Sequence, residues 1–404
     1  MRDLSLVRRG AHLLLLIGLA VLAWQAVAFS LAIAARKGDP ARAVKLAPNN
    51  ALVLAALARS ELTSNPAAAA DAAKRALLRD ATSASAAGVL GIARAQAGDD
   101  RQARALLAYS QAMSRRDLPT QLWAIETAVQ RGDIQEALRH YDIALRVGSS
   151  MPTVLFPVLV SAADDPAIRV PLVRMLRSGV PWGSSFLDYL SATTTNVVSA
   201  SQLVSDLYAA GGKVPRNPGN VLIQRLMETN DVERAWFLYT RANPGARKIG
   251  VRNGGFEAVV EAPTLFDWQL EDRGDARADI LPGERGGELH VEARSGSGGG
   301  VARQRLVLSP ATYTLMFKAR AEDGATLGDS VFELFCMPSR QRIAQTRLVA
   351  APTQERRGVQ FAVPRGCPSQ SLEVTLYAGA AETTIDGALD DVDVRAASPG
   401  GSRH

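Results

Sequence analysis

The chain is poor in the residues on which most catalytic and metal chemistry depends. It has 404 residues but only two cysteines and four histidines. His12, His140, His290 and His404 are scattered, and none has a His or Cys neighbour at metal-ligand spacing. No Gly-x-Ser-x-Gly elbow and no His-Glu-x-x-His pair occurs. Asp390-Asp391 are adjacent carboxylates, but nothing in the sequence sets a second pair across a cleft, as glycoside hydrolysis requires. Enzymatic activity is therefore not expected. A basic run is missing as well. The net charge is +6 and most basic residues are Arg, but they are interspersed with Asp and Glu. A nucleic-acid binder needs a clustered patch, so no nucleic-acid partner is expected. Aromatic residues make up only 5% of the chain.

One long apolar run is present. Residues 11–35 follow a basic flank (1–10, with Arg2, Arg8 and Arg9) and precede Arg36-Lys37. A bilayer-crossing helix needs about 20 such residues. A cleaved signal peptide has the same opening, with Ala26-Val27-Ala28 as a small-residue site. The apolar run continues past that site, which favours an uncleaved anchor. Positive charge on both flanks leaves orientation open by counting. Two cysteines in one exported β-domain suit a single disulfide, and two buried thiols are the alternative. This tilts the reading toward a single-pass bacterial inner-membrane protein with its bulk in the periplasm.

Residues 38–245 carry an internal repeat. Asn65-Pro66, Gly98-Asp99, Gly132-Asp133 and Asp165-Pro166 recur at spacings of about 34 residues, the period of a helix–turn–helix repeat. Helices are predicted over 99–114 and 122–131. The unit beginning at Asp133 places Ala137, Leu138, Tyr141, Ala144 and Leu145 on one apolar stripe. Such pairs cannot bury their faces alone and must stack. Arg131-Gly132-Asp133 is turn chemistry. Helices continue less regularly over 168–177, 185–192, 201–210 and 221–228, and Asn230-Asp231 restarts a unit. Gly98-Asp99 and Gly132-Asp133, with Ala103 and Ala137 following, resemble the tetratricopeptide repeat. The match is best over 66–166, with the usual helix-A Trp, Leu-Gly and Tyr positions incomplete. The resemblance implies a groove for protein partners. A spacer or dimerisation surface is the structural alternative.

From about residue 250 the period changes from 3.6 to 2. Strands are predicted over 289–293, 301–308, 312–319, 331–337, 358–363, 372–377 and 389–394. Short strands between Gly/Pro turns indicate a two-sheet sandwich over 253–397, after a linker at 246–252 and before a disordered tail at 398–404. The fold class is thus multidomain: a transmembrane helix, an all-α solenoid and an all-β jelly roll. Gly296–Gly300 lacks the Lys-Ser/Thr ending of a phosphate loop and reads as a sheet connection. Asn253-Gly254-Gly255-Phe256-Glu257, Phe266-Asp267-Trp268, Ser309–Leu315 and Leu389-Asp390-Asp391-Val392-Asp393-Val394, in that order, resemble the galactose-binding-like jelly roll of carbohydrate-binding modules of families 4, 9 and 22. The resemblance implies a first strand at Asn253–Glu257 lying beside the last. It also implies a structural calcium at Glu257, Asp390 and Asp391, with a metal-free carboxylate cluster as the alternative. Sugar binding would use exposed rings, for which Trp268 and Tyr377 are the candidates. Tyr313, Phe317, Phe332 and Phe361 alternate with polar residues and belong to the core. Cys336 shares a face with Phe332 and Leu334, and Cys367 falls just past the strand ending at Val363. Neighbouring strands would allow their bridging.

The combined expectation is a non-catalytic adaptor. Its solenoid would bind protein partners and its jelly roll a glycan, in exopolysaccharide or cell-envelope assembly. A purely structural subunit and a glycan-modifying enzyme are the rivals.

Overall fold

The computed structural model of the chain describes residues 2–283, 286–322, 325–350, 356–379 and 384–397, with side chains from residue 13 onward. The tail expected at 398–404, with His404, lies outside them, as does the side chain of His12. The chain divides into two compact units, Met1–Leu155 and Phe156–His404.

The first unit is helical. It contains α1 (Arg2–Ala35), α2 (Pro40–Leu46), α3 (Ala51–Glu61), α4 (Pro66–Arg79), α5 (Ala84–Gln96), α6 (Asp100–Met113), α7 (Leu118–Gln130) and α8 (Ile134–Val147). Within α1, the 23 residues Leu13–Ala35 have the length and composition of a membrane span or a signal sequence, and they are almost entirely exposed. The turn signals of the sequence are helix caps. Gly98 and Gly132 take the left-handed conformation (φ 81° and 70°) that ends α5 and α7. Asp99 and Asp133 then cap α6 and α8, accepting from the backbone N–H of Gln102 and Glu136. Asn65 caps α4 in the same way, with Pro66 behind it. Alanine lets the helices approach closely: Ala69, Ala73 and Ala103 have no exposed surface. His140 on α8 is buried and its Nδ1 lies 2.6 Å from Gln121 Oε1 on α7.

The second unit begins inside α9 (Met151–Ala162) and continues through α10 (Pro166–Arg177), α11 (Gly183–Thr193), α12 (Val197–Ala209), α13 (Arg216–Glu228) and α14 (Val232–Ala242). The same cap grammar reappears. Asn230 (φ 59°) ends α13 and Asp231 caps α14.

A two-sheet antiparallel sandwich follows. Its strands are β1 (Gln269–Leu270), β2 (Ala276–Gly283), β3 (Gly286–Ala293), β4 (Gly298–Leu306), β5 (Thr312–Ala321), β6 (Val331–Met337), β7 (Gln341–Arg347), β8 (Arg357–Ala362), β9 (Ser369–Tyr377) and β10 (Ile385–Ala396). One sheet has the order β1-β4-β9-β6-β7 and the other β2-β3-β10-β5-β8. Their inner faces share one continuous core that includes Leu289, Leu315, Phe317, Phe332, Leu372, Val374 and Leu389. Tyr313, Phe317, Phe332 and Phe361 are all buried.

Asn253–Glu257 is not the first strand that the resemblance implies. It is a turn, with positive φ at Asn253 (49°) and Phe256 (53°) and Phe256 N–H donating to Asn253 C=O at 3.0 Å. It does lie beside the last strand. Val392 N–H donates to Gly254 C=O at 2.9 Å, where β10 bulges between Asp390 and Asp393. A side chain at residue 254 would place its Cβ 1.8 Å from Val392 O, so only glycine fits. The turn replaces a strand because the bulge leaves the Val392 amide without a ladder partner, and the turn satisfies it.

The Phe266-Asp267-Trp268 element divides its side chains between two partners. Phe266 packs against Trp236 and Tyr239 of α14, with ring centroids 5.1 Å away in both cases. Asp267 Oδ1 accepts from the Tyr239 hydroxyl at 2.6 Å, and its Oδ2 accepts from Thr264 N–H and Oγ1. Burial and this carboxylate push the Tyr239 phenol up. Residue 252, placed in a linker by sequence, is tied down: Gln304 of β4 exchanges two hydrogen bonds of 2.9 Å with the Arg252 backbone.

Candidate functional site

The side chains that point away from the core on the β1-β4-β9-β6-β7 sheet form a charged recess of about 320 Å3. Strand alternation puts them there. Leu372, Val374 and Leu376 of β9 face inward, so Glu373, Thr375 and Tyr377 face outward. Register sets their neighbours: Glu373 lies opposite Arg303 of β4 on one side and Glu333 of β6 on the other. Two carboxylates directly opposite repel each other. Each is offset by a guanidinium. Arg340 holds Glu373 with two hydrogen bonds of 3.1 Å, and Arg342 donates to Glu333 Oε1 at 2.9 Å. Ser371 Oγ and Thr375 Oγ1 complete the shells at 2.8 and 3.2 Å. Across the recess Arg273 donates to Glu271 at 2.7 Å and to Gly300 C=O at 3.0 Å. Arg305 is half-buried near Glu373, Arg303 and Arg340. Burial pushes its pKa down, Glu373 opposes the shift, and Arg303 and Arg340 add to it. Arg340 also lies over the Phe335 ring at 4.5 Å. The outcome is a polar face whose donors and acceptors are held at fixed positions before any ligand arrives.

Of the two candidate rings, Tyr377 is on this face and 48% exposed. Trp268, the other, is turned into the core. It is 5% exposed and packed against Phe256 with ring centroids 5.5 Å apart. The three carboxylates that the resemblance assigns to calcium have different surroundings. Glu257 Oε1 and Asp390 Oδ1 each border Gly255, at 3.8 and 3.9 Å from where a Cβ on that residue would sit. Asp391 is engaged elsewhere, 2.5 Å from Lys318 Nζ and 3.3 Å from Arg356 Nη2. The bulge gives Asp391 a positive φ of 53° and turns it away from its neighbour. Burial pushes the Asp390 carboxyl up, the Asp391 and Glu288 charges add to this, and the Asp391 amide and Lys318 oppose it. Lys318, beside Arg356, holds Asp391 down. Among the described residues no group of three His, Cys, Asp or Glu side chains converges. Cys336, at the end of β6, and Cys367, just before β9, form a disulfide with Cα atoms 5.4 Å apart.

Period 2 already marks Glu373 and Thr375 as outward-facing in the sequence. Arg273, Arg303, Glu333 and Arg340 were missed, because only the strand register brings them together.

The chain matches no established protein family and no curated protein. Parts of it align with solved structures. A family 4 carbohydrate-binding module aligns at 20% identity and TM-score 0.29, over 36% of this chain and 99% of the module. The CBM22-1 xylan-binding domain from Paenibacillus barcinonensis Xyn10C aligns at 15% identity and TM-score 0.27, over 38% and 100%. Pseudomonas aeruginosa pilF aligns at 17% identity and TM-score 0.27, over 55% and 94%. These alignments are partial and of low identity. The assignment of helical repeats and a two-sheet sandwich rests on the elements described above.

Proposed function

We propose that this chain is a non-catalytic adaptor anchored in the bacterial inner membrane by residues 11–35, with its bulk in the periplasm. Its helical repeats engage protein partners and its sandwich contacts a glycan during exopolysaccharide or cell-envelope assembly. The charged recess carries the glycan reading. Sugar hydroxyls are recognised by planar, preorganised donors and acceptors, and Arg340–Glu373 and Arg342–Glu333 present both kinds on one rigid sheet. Tyr377 supplies an exposed ring on that face. The disulfide supports an oxidising compartment. The full chain, immobilised in detergent, should retain cell-envelope polysaccharide. Tyr377→Ala and Glu373→Ala should each reduce retention at least several-fold without loss of the sandwich fold. Equal retention by wild type and both variants would remove the recess as the contact site. No retention at all would favour a purely structural subunit.

A structural calcium at Glu257 and Asp390 belongs to the same proposal. The carboxylate oxygens are hard donors, and among the described residues Glu257 accepts only the Gly287 amide, at 3.3 Å. Asp391 takes no part. Calcium should raise the Tm of the sandwich transition, and a chelator should reverse the rise. A Tm indifferent to both would eliminate the metal.

A further inference from the structure

The sandwich has a second recess that shares no lining residue with the charged one. β1 and β2 are the edge strands of the two sheets on the same side of the sandwich, and the stretch 245–263 runs past that open edge. A cavity of about 620 Å3 lies between them. Cavities that hold small molecules are commonly of this size, mostly apolar, with a few placed polar groups. The walls here are Val251, Val259, Trp268, Leu270 and Ile280. Val259 is 73% exposed and Ile249 at the rim 56%, so apolar surface stands uncovered at the mouth.

The polar groups at the cavity divide by sign. Its acids are already engaged. Asp267 accepts from Tyr239 and Thr264, and Asp393 accepts from Arg395 Nε at 2.6 Å. Its donors are not. The indole Nε1–H of Trp268 is buried and has no acceptor, although buried N–H groups in proteins are nearly always paired. Arg247 at the rim makes no ion pair among the described residues. An apolar body with an electron-rich, negatively charged end matches this arrangement.

We propose that this cavity binds the acyl chain of an amphipathic anion. The chain lies against Val251, Leu270 and Ile280. A head-group oxygen accepts from Trp268 Nε1–H, and the head-group charge pairs with Arg247. A free fatty acid and an anionic lipid share this chemistry. The site is independent of the glycan recess, and the two can fail separately.

The full chain in membranes can be tested with a photoreactive diazirine fatty acid, followed by digestion and mass spectrometry of the adducts. Adducts are expected in peptides covering residues 245–283. Ile280→Trp, which fills the cavity, should abolish them. Arg247→Glu at the exposed rim leaves the core intact and should reduce them at least several-fold. Octanoate should compete and octyltrimethylammonium should not, whereas equal competition by the two would overturn the anionic head group. Adducts confined to residues 13–35, or cavity adducts indifferent to both substitutions, would overturn the site. A fatty acid shared with an anionic lipid can be separated by repeating the competition with phosphatidylglycerol vesicles: displacement by vesicles as well as by octanoate assigns the lipid, and displacement by octanoate alone the free acid. Polysaccharide retention should be unchanged in both variants, which separates this failure from failure of the glycan reading.

Discussion

In the first unit, the residues with no exposed surface include Ala58, Ala69, Ala73, Ala76, Ala86, Ala103 and Ala128; in the sandwich they include Leu289, Leu315, Phe332, Leu334 and Leu372. The repeats bring helix backbones close together over small side chains, and those of α1–α6 form small clusters. The sandwich buries large side chains in one continuous cluster. Stacked repeats contact only their neighbours, so damage stays local. A single core fails as a whole. Each region can therefore be broken in a way that leaves the other intact.

The largest effect is expected at Phe332, which has no exposed surface and meets Phe317 at a centroid distance of 4.9 Å. Phe332→Ala should cost the sandwich about 3–5 kcal/mol in denaturant unfolding. Hydrogen exchange should show all ten strands affected together and α3–α8 unchanged. Reducing the Cys336–Cys367 disulfide, which spans 31 residues, should cost about 3 kcal/mol, again in the sandwich alone. A loss shared with the repeats would break the comparison. In the repeats, Asp99→Ala removes the cap of α6 and should cost about 1 kcal/mol, read as faster exchange of the first amides of α6 only.

The smallest effect is a pH dependence of the α7–α8 pair. Burial pushes the His140 imidazole down, and this outweighs the nearby Glu136 carboxylate. The unfolded chain then binds a proton more readily than the folded one, so this stability is present above the ordinary histidine value and lost as pH falls below it. Arg139, and more weakly His140, hold Glu136 down to about 2, against burial, so its solvent-screened share is lost as pH falls from about 4.5 toward 2. Amide exchange in α7 and α8 should accelerate on acidification while α3–α6 hold. His140→Gln should flatten the part of the profile near neutrality.

The repeats were more legible in the sequence than the sandwich, for a local reason. Gly98, Asp99, Gly132 and Asp133 act within their own turns, through φ and one capping bond. α6 was predicted at 99–114 and runs Asp100–Met113. The strands with clear alternation were also readable, and β6 was predicted with the bounds it has. β2 and β7, both edge strands, were missed. β7 is largely polar and exposed, and β2 marks its buried face mainly with the small Ala276 and Ala278 and carries Pro282, so neither shows a strong apolar period in the sequence. Asn253–Glu257 was read as a strand from its position in a motif. Its shape is set by a bulge in β10, more than a hundred residues later in the chain.

The sequence by itself determined the apolar helix, the capped helical repeats, the change of period near residue 250 and the outward direction of Glu373, Thr375 and Tyr377. These follow from backbone conformations and side-chain periods that act over a few residues. Only the tertiary structure decided that Trp268 is buried and Tyr377 open, that Asp391 pairs with Lys318 and Arg356, and that Arg303, Glu373 and Glu333 share a row. Those outcomes depend on strand register and on the bulge, which long-range pairing fixes and no local pattern encodes.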